Sequence, residues 1–340
     1  MYNRILNRQL IALLIGFSII SSCQKDIQLP QDSIQKELEK GIESGLDGII
    51  VYVNQSGKSS FYSAGWKNRE QQIPADPHSL FKIASISKLY VAAVTAKLVA
   101  DQYLSVNSTL AELIPETNGR IENADEITLK MMLAHRSGIP EYIYHPDFES
   151  GTQESYIETA SLIFDTPAEF APNAKYHYCN TNFLLIGDIL NRTLGYSYQD
   201  YLKNEVLIPH GLINTYSLFS EVEPNDVMSG YYKGYGPDLK SVDHTSPGGN
   251  MIATAEDVGM FLRFLIDGTL LNDEEQAIYS SIYEYEHTGW IPGYTSIARY
   301  SSDIDAIVVQ FVSTSYNRLF WVELEGIFER INKILEKEYQ

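Results

Sequence analysis

One stretch constrains the fold more than any other: Phe81 to Leu98, FKIASISKLYVAAVTAKL. Ile86, Leu89, Tyr90, Ala93, Val94 and Leu98 make it apolar on nearly every side, the pattern of a helix inside a core. Near its start the chain places Ser85 and Lys88, three residues apart. Residues at i and i+3 share a helical face, so the amine can stand beside the hydroxyl. A serine hydroxyl attacks poorly until a neighbour takes its proton. A lysine among apolar side chains is a candidate acceptor, because burial disfavours its charged form.

Two further patterns carry chemistry. In Tyr176-His177-Tyr178-Cys179-Asn180-Thr181-Asn182, Tyr178 and Asn180 sit two apart on a loop entering a helix and can point into one cleft. Beside cations the phenolate of Tyr178 becomes accessible, able to take a serine proton and return it to a leaving group. Asn180 offers a donor and an acceptor suited to an amide. The third pattern, His287-Thr288-Gly289 followed by Trp290, falls just before a terminal hairpin. There the His and Thr side chains on an edge strand could meet a substrate carboxylate, and Gly289 lets backbone approach closely.

The chain around these patterns reads as α+β. Ser33 to Ile42 has helical spacing, and Gly48 to Val53 and Ser59 to Trp66 read as strands joined by a turn at Asn54 to Lys58. Helical segments then alternate with loops: Ser108 to Ile114, Thr128 to His135, Thr181 to Leu194 and Ser197 to Leu207. Tyr142 to Gly151 and Ser220 to Ser246 are loops suited to cleft walls. Thr254 to Asp257 opens another helix with a capping-box pattern. Strand-like runs at Thr295 to Tyr300 and Ala306 to Ser313 precede an amphipathic terminal helix. The expected plan is a mainly antiparallel sheet flanked by helices, drawn from about 31–90 and 250–340, with a helical insertion at about 91–249.

Residues 1–23 stand apart from this plan. Arg4 and Arg8 precede an apolar run from Leu10 to Ile20, closed by Ser21-Ser22-Cys23. The segment resembles a bacterial lipoprotein signal, which implies an exported protein, residues 24–340, lipid-anchored at Cys23 to a membrane. With Cys23 lipidated, no intramolecular disulfide is available, and Cys179 is expected as a small buried residue. A net charge of −19 repels phosphate backbones and argues against nucleic acid as a partner. His78, His135, His145, His177, His210 and His244 show no metal-ligand spacing, and no cofactor fingerprint is present. A monomer without metal or cofactor is expected.

Taken together and in order, the three patterns resemble those of the penicillin-recognising serine hydrolases: class C beta-lactamases, DD-peptidases and their esterase relatives. Connecting text agrees, including Leu133-Ala134-His135-Arg136-Ser137-Gly138-Ile139-Pro140 and Gly248-Gly249-Asn250-Met251-Ile252-Ala253-Thr254. The resemblance implies the beta-lactamase/DD-peptidase fold, Ser85 as acylated nucleophile, Lys88 as its activator and Tyr178 as proton shuttle. It also implies that Asn180 holds the acyl-side amide, that His287 and Thr288 meet the substrate carboxylate with Gly289 beside them in the substrate-binding strand, and that the N–H groups of Ser85 and Trp290 form the oxyanion hole. Class C beta-lactamases usually carry lysine at the position of His287, and a neutral imidazole attracts a carboxylate less. Hydrolysis of D-alanyl-D-alanine-type peptides, such as peptidoglycan stem peptide, is therefore the expected activity. Beta-lactam turnover, or hydrolysis of small esters and amides, is the alternative on the same machinery. A lipid-anchored binding protein without turnover is the alternative from another class.

Overall fold

A computed structural model describes residues 29–148 and 155–339, so the expected signal and Cys23 lie outside the described residues. The backbone of the fold is an antiparallel six-stranded sheet contributed by both ends of the chain. Its strands are β1 (Gly48–Gln55), β2 (Lys58–Asn68), β3 (Ile73–Pro74), β8 (His287–Ile291), β9 (Tyr294–Ser301) and β10 (Ala306–Val312), in the spatial order β3-β2-β1-β10-β9-β8. The first and last strands meet at the centre, with Ile49 opposite Val312 and Val53 opposite Val308. Between β1 and β2 the turn tightens to Ser56 and Gly57, with φ of 48° and 79°. Two successive positive φ values match the right-handed twist of a hairpin.

Period-2 alternation on the central strands serves two cores. Ile49, Val51, Val53, Ala306, Val308 and Val312 face the helices Ile34–Glu43 and Arg318–Tyr339, which supply Leu38, Leu324, Ile327 and Ile331. Ile50, Tyr52, Ile307, Val309 and Phe311 face the other way, into the larger core around the Ser87–Ala100 helix. Burial on both faces explains why β1 and β10 read as mainly apolar runs, with Gln310 of β10 giving its amide to Leu324 O. Phe311 stacks on Phe81 at 4.5 Å between ring centroids. It thereby ties the sheet to the residues preceding Ser85, and truncating it to alanine would cost about 3–5 kcal/mol.

Smaller pairings position the loops. β4 (Phe81–Lys82) and β5 (Thr215–Tyr216) both pair with β7 (Ile252–Ala253), while β6 (Tyr231–Tyr232) runs parallel to β11 (Thr314–Ser315). The helix expected over Ser197 to Leu207 divides into an α-turn at Tyr198–Tyr201 and a π-helical stretch at Leu202–Leu207. Pro209 accounts for this, because it lacks an N–H and its ring crowds the carbonyl four residues back. A helix at Asp273–Ile282 lies outside the sequence expectation, although Asn272 and Glu275 cap it reciprocally. It packs beside the Ser87–Ala100 helix, joined by a Lys97–Glu275 ion pair at 2.9 Å. Among the described residues no helix is long and apolar enough to cross a membrane.

Candidate active site

Ser85 lies in a 3-10 turn, Ala84–Ile86, that leads directly into the Ser87–Ala100 helix. In a 3-10 turn side chains at i and i+3 eclipse, so this entry brings Ser85 and Lys88 onto one face. Ala84 has φ of 51°, a left-handed backbone that a residue with a Cβ adopts only at a cost of about 1–3 kcal/mol. Bonds from several directions hold the turn. Ser87 Oγ donates to Ala84 O at 2.6 Å, Met251 N to Ser87 Oγ at 3.2 Å, and Ser296 Oγ to Ile83 O at 2.9 Å.

Lys88 is fully buried, yet its amine has three partners: Gly248 O at 2.6 Å, Asn180 Oδ1 at 2.9 Å and Ser85 Oγ at 3.3 Å. Burial lowers its pKa to about 7, against the opposing pull of Glu141. Two of the three partners can only accept. When the amine is neutral, its two protons are held by Gly248 and Asn180 and its lone pair is left facing Ser85. Gly248 is needed here for space, since a Cβ at that position would lie 2.7 Å from Lys88 Nζ.

Tyr178 OH donates to Ser85 Oγ at 2.9 Å. The phenolate expected from nearby cations is not the form this site favours, because burial raises the Tyr178 pKa above its ordinary value. Lys88 approaches the ring face, 5.0 Å from its centroid, and makes no hydrogen bond to the oxygen. His135 stacks on the other ring contact, 4.4 Å between centroids, and its Nδ1 accepts from Cys179 N at 3.1 Å. Cys179 is buried, with Sγ donating to Ile139 O at 3.3 Å.

Asn180 precedes the Thr181–Leu194 helix without a side-chain cap bond and sits half-buried between Lys88 and Glu141. Besides accepting from Lys88, it gives both its backbone N, at 2.6 Å, and its Nδ2, at 3.0 Å, to Glu141 Oε2. One Nδ2 proton therefore remains for a substrate amide. Glu141 is a site residue that motif reading missed. It stands one position beyond the Leu133–Pro140 text and carries no spacing signal of its own. Asn182, two residues on, pins the same loop through Ser137 Oγ at 2.7 Å and Met132 O at 2.9 Å.

The third pattern forms the edge strand β8, which lies against the Ser85 turn. A Cβ on Gly289 would fall 2.4 Å from Ile83 O and 2.2 Å from Ser296 Oγ, so only glycine permits this approach. His287 reaches the cleft 6.2 Å from the Tyr178 ring and stacks on Tyr283 at 6.1 Å. Its Nδ1 meets Thr288 O at 2.5 Å. Burial and then Lys88 lower its pKa to about 3, so it is neutral. Thr288 and Trp290 are half-buried on the same strand. The structure thus brings together Ser85, Lys88, Tyr178 and Asn180 by direct hydrogen bonds, with His287 to Trp290 alongside. Such a centre can move a proton off a hydroxyl, with a phenol ready to donate one. Among the described residues no group of three or more His, Cys, Asp and Glu side chains is placed to hold a metal ion.

The Beta-lactamase family profile matches residues 32–281. Protein flp of Staphylococcus aureus (strain N315) is 22% identical over 244 residues, 70% of this chain and 49% of that protein. The chain thus spans about half the length of the curated relatives it matches first. Among solved structures, a D-amino acid amidase from Ochrobactrum anthropi SV3, complexed with L-phenylalanine amide, superposes with a TM-score of 0.80 at 20% identity. It covers 90% of this chain and 99% of its own. A penicillin binding protein from Bacillus halodurans gives a TM-score of 0.74 at 20% identity, covering 88% and 98%. At these identities the solved structures share the fold.

Proposed function

Since this chain belongs to the beta-lactamase family and is a serine hydrolase, we propose that it cleaves amide bonds whose acyl half is a D-amino acid, through an acyl-enzyme at Ser85. One observation carries the reading: a single oxygen, Ser85 Oγ, lies 2.9 Å from a phenol and 3.3 Å from a buried amine. Neutral Lys88 accepts the Ser85 proton as Oγ bonds to the carbonyl carbon. Tyr178 gives its proton to the departing nitrogen, and the Lys88 ammonium returns one to the phenolate through water, since the two groups share no direct hydrogen bond. Water then repeats the sequence against the ester, releasing the acid and free Ser85. The N–H groups of Ser85 and Trp290 are assigned to the oxyanion, where losing one donor typically costs ~3 kcal/mol.

Electrostatics favour an uncharged leaving group. His287 is neutral, among the described residues the only cation hydrogen-bonded within the centre is buried Lys88, and the chain as a whole is strongly acidic. An amide or peptide with a blocked C-terminus therefore suits the cleft better than a free terminal carboxylate. The D-amino acid acyl half is supported by the likeness to the D-amino acid amidase. Carboxypeptidase action on D-alanyl-D-alanine ends is the second reading, favoured by the Thr288 hydroxyl, which has no hydrogen-bond partner among the described residues. Penicillins should acylate Ser85 slowly.

The test is a parallel assay of D-alanyl-D-alanine, its C-terminal amide, D-phenylalanine amide, a chromogenic cephalosporin and a p-nitrophenyl ester. It is paired with fluorophosphonate labelling and peptide mapping. The expected result is a label on Ser85 and amide turnover exceeding that of the free dipeptide. Faster release of the terminal D-alanine would favour the carboxypeptidase reading, and absence of both label and turnover would favour a binding protein. The proposal extends to export and lipidation at Cys23, for which palmitate incorporation should be lost in Cys23→Ala.

A further inference from the structure

We propose that Glu141 is a positioning residue that acts on Lys88 through Asn180, fixing the Asn180 amide so that its carbonyl oxygen faces the amine. The inference rests on the reading of Lys88 as the base. Asn180 has two amide faces, and a free side chain could present either to Lys88. Glu141 removes the ambiguity, because its Oε2 takes both Asn180 N at 2.6 Å and Asn180 Nδ2 at 3.0 Å. With Nδ2 committed to a carboxylate, Oδ1 points to Lys88 Nζ at 2.9 Å. The result is a three-member chain from carboxyl to amide to amine.

The loop that carries Glu141 is fastened to the segment that carries Asn180. Thr181 Oγ1 donates to Pro140 O at 2.6 Å and accepts from Tyr142 N at 2.9 Å, while Cys179 Sγ reaches Ile139 O. Glu141 is 7% exposed, and beyond its two bonds from Asn180 its carboxyl is approached by the backbone N–H of Ile143, without a well-formed hydrogen bond to Oε1. A carboxyl buried with so few well-formed bonds is costly, which argues for a task beyond capping the loop.

The task concerns the proton on Lys88. The titratable groups facing this pair are Tyr142, Tyr144, Tyr178, Cys179, His135 and His287. Burial raises the three tyrosines and the thiol and lowers both histidines, so all six are neutral around pH 7. Glu141, raised to about 7 by burial, and Lys88, lowered to about 7, are left to titrate together. An ionised Glu141 favours the Lys88 ammonium and so delays the rise of the neutral base as pH increases. Glu141 thus couples the orientation of Asn180 to the pH at which the serine becomes active.

The experiment measures the rate of Ser85 acylation by a p-nitrophenyl ester from pH 5 to 9 in the full chain, with thermal unfolding as a check on folding. Glu141→Gln keeps an acceptor oxygen for Asn180 and removes the charge. Its acid limb should move down by about one pH unit, whatever the height of its plateau, one unit being a tenfold change in protonation ratio. Glu141→Leu removes the acceptor as well and should lower the plateau about tenfold or more. An unmoved limb in Glu141→Gln overturns the proposal even if the variant is less stable, since a loop-capping role alone leaves the limb in place. A wild type that is not acylated at Ser85 fails the catalytic reading instead.

Discussion

The two halves of the cleft are built to different standards. On one side, Lys88 has no exposure, every direction of its amine is occupied, and the strained Ala84 turn is bonded from the sheet, the helix and the Met251 loop. On the other, β8 is an edge strand, half-buried except at Gly289, where among the described residues the His287 ring hydrogen-bonds only to the neighbouring carbonyl and the Thr288 hydroxyl has no partner. The centre is organised before substrate arrives, as electrostatic catalysis requires. Under the proposed function, the edge would acquire its polar partners from the substrate. Substitutions on the first side should therefore lower kcat, and those on the second should redistribute KM and selectivity.

The strongest attempt to break that contrast is Ser85→Ala. Hydrolysis should fall by ~10⁴-fold or more and labelling should vanish. Stability should fall by about 1–3 kcal/mol, because the buried Tyr178 hydroxyl and Lys88 amine lose the oxygen to which both donate. Retained labelling in this variant would move the nucleophile elsewhere. Next comes Lys88→Met, with an expected loss of about 10²–10⁴-fold in kcat. In the wild type the neutral amine gains population as pH rises through about 7, so kcat/KM climbs with pH there; His287, at about 3, adds no step between pH 5 and 8. The Lys88→Met profile should lose that limb. A limb that persists would assign the base to another group.

The same contrast separates what the sequence displayed from what it concealed. Ser85 with Lys88, and Tyr178 with Asn180, are each a few residues apart, so local geometry already sets them on a shared face or loop. The paired helices and the apolar strands were legible for a similar reason, since their periodicity is local: Thr181–Leu194 appears with the bounds its pattern indicated. Glu141 and Gly248 were not legible, because each meets the centre only through a loop returning from elsewhere in the chain. A backbone carbonyl such as Gly248 O leaves no mark on residue type. The Tyr178 phenolate failed for a related reason: a cation counted along the sequence says nothing about how much water is excluded from the oxygen. The Asp273–Ile282 helix was hidden by its weakly apolar, acidic start, where the cap from Asn272 was the only local signal.

On the edge side the effects should be smaller and selective. His287→Lys places an ammonium beside the leaving-group position. For D-alanyl-D-alanine against its C-terminal amide, the ratio of kcat/KM should shift roughly tenfold toward the free carboxylate, the size of one charge-assisted bond. Equal changes for both substrates would mean that the edge does not contact that end of the substrate.

The smallest effect, and the sharpest test of where one region ends and the other begins, is Thr288→Val. Valine fills the same volume and suits a strand, and the hydroxyl it replaces has no hydrogen-bond partner among the described residues, so stability should remain within about 0.5 kcal/mol. With a carboxylate-bearing substrate, KM should rise about fivefold, corresponding to ~1 kcal/mol for a hydrogen bond on a half-exposed edge where water competes, at unchanged kcat. With the amide, neither constant should move. A matched fall in kcat and kcat/KM would mean that the hydroxyl acts only in the transition state, and Thr288 would then belong to the preorganised centre with Ser85.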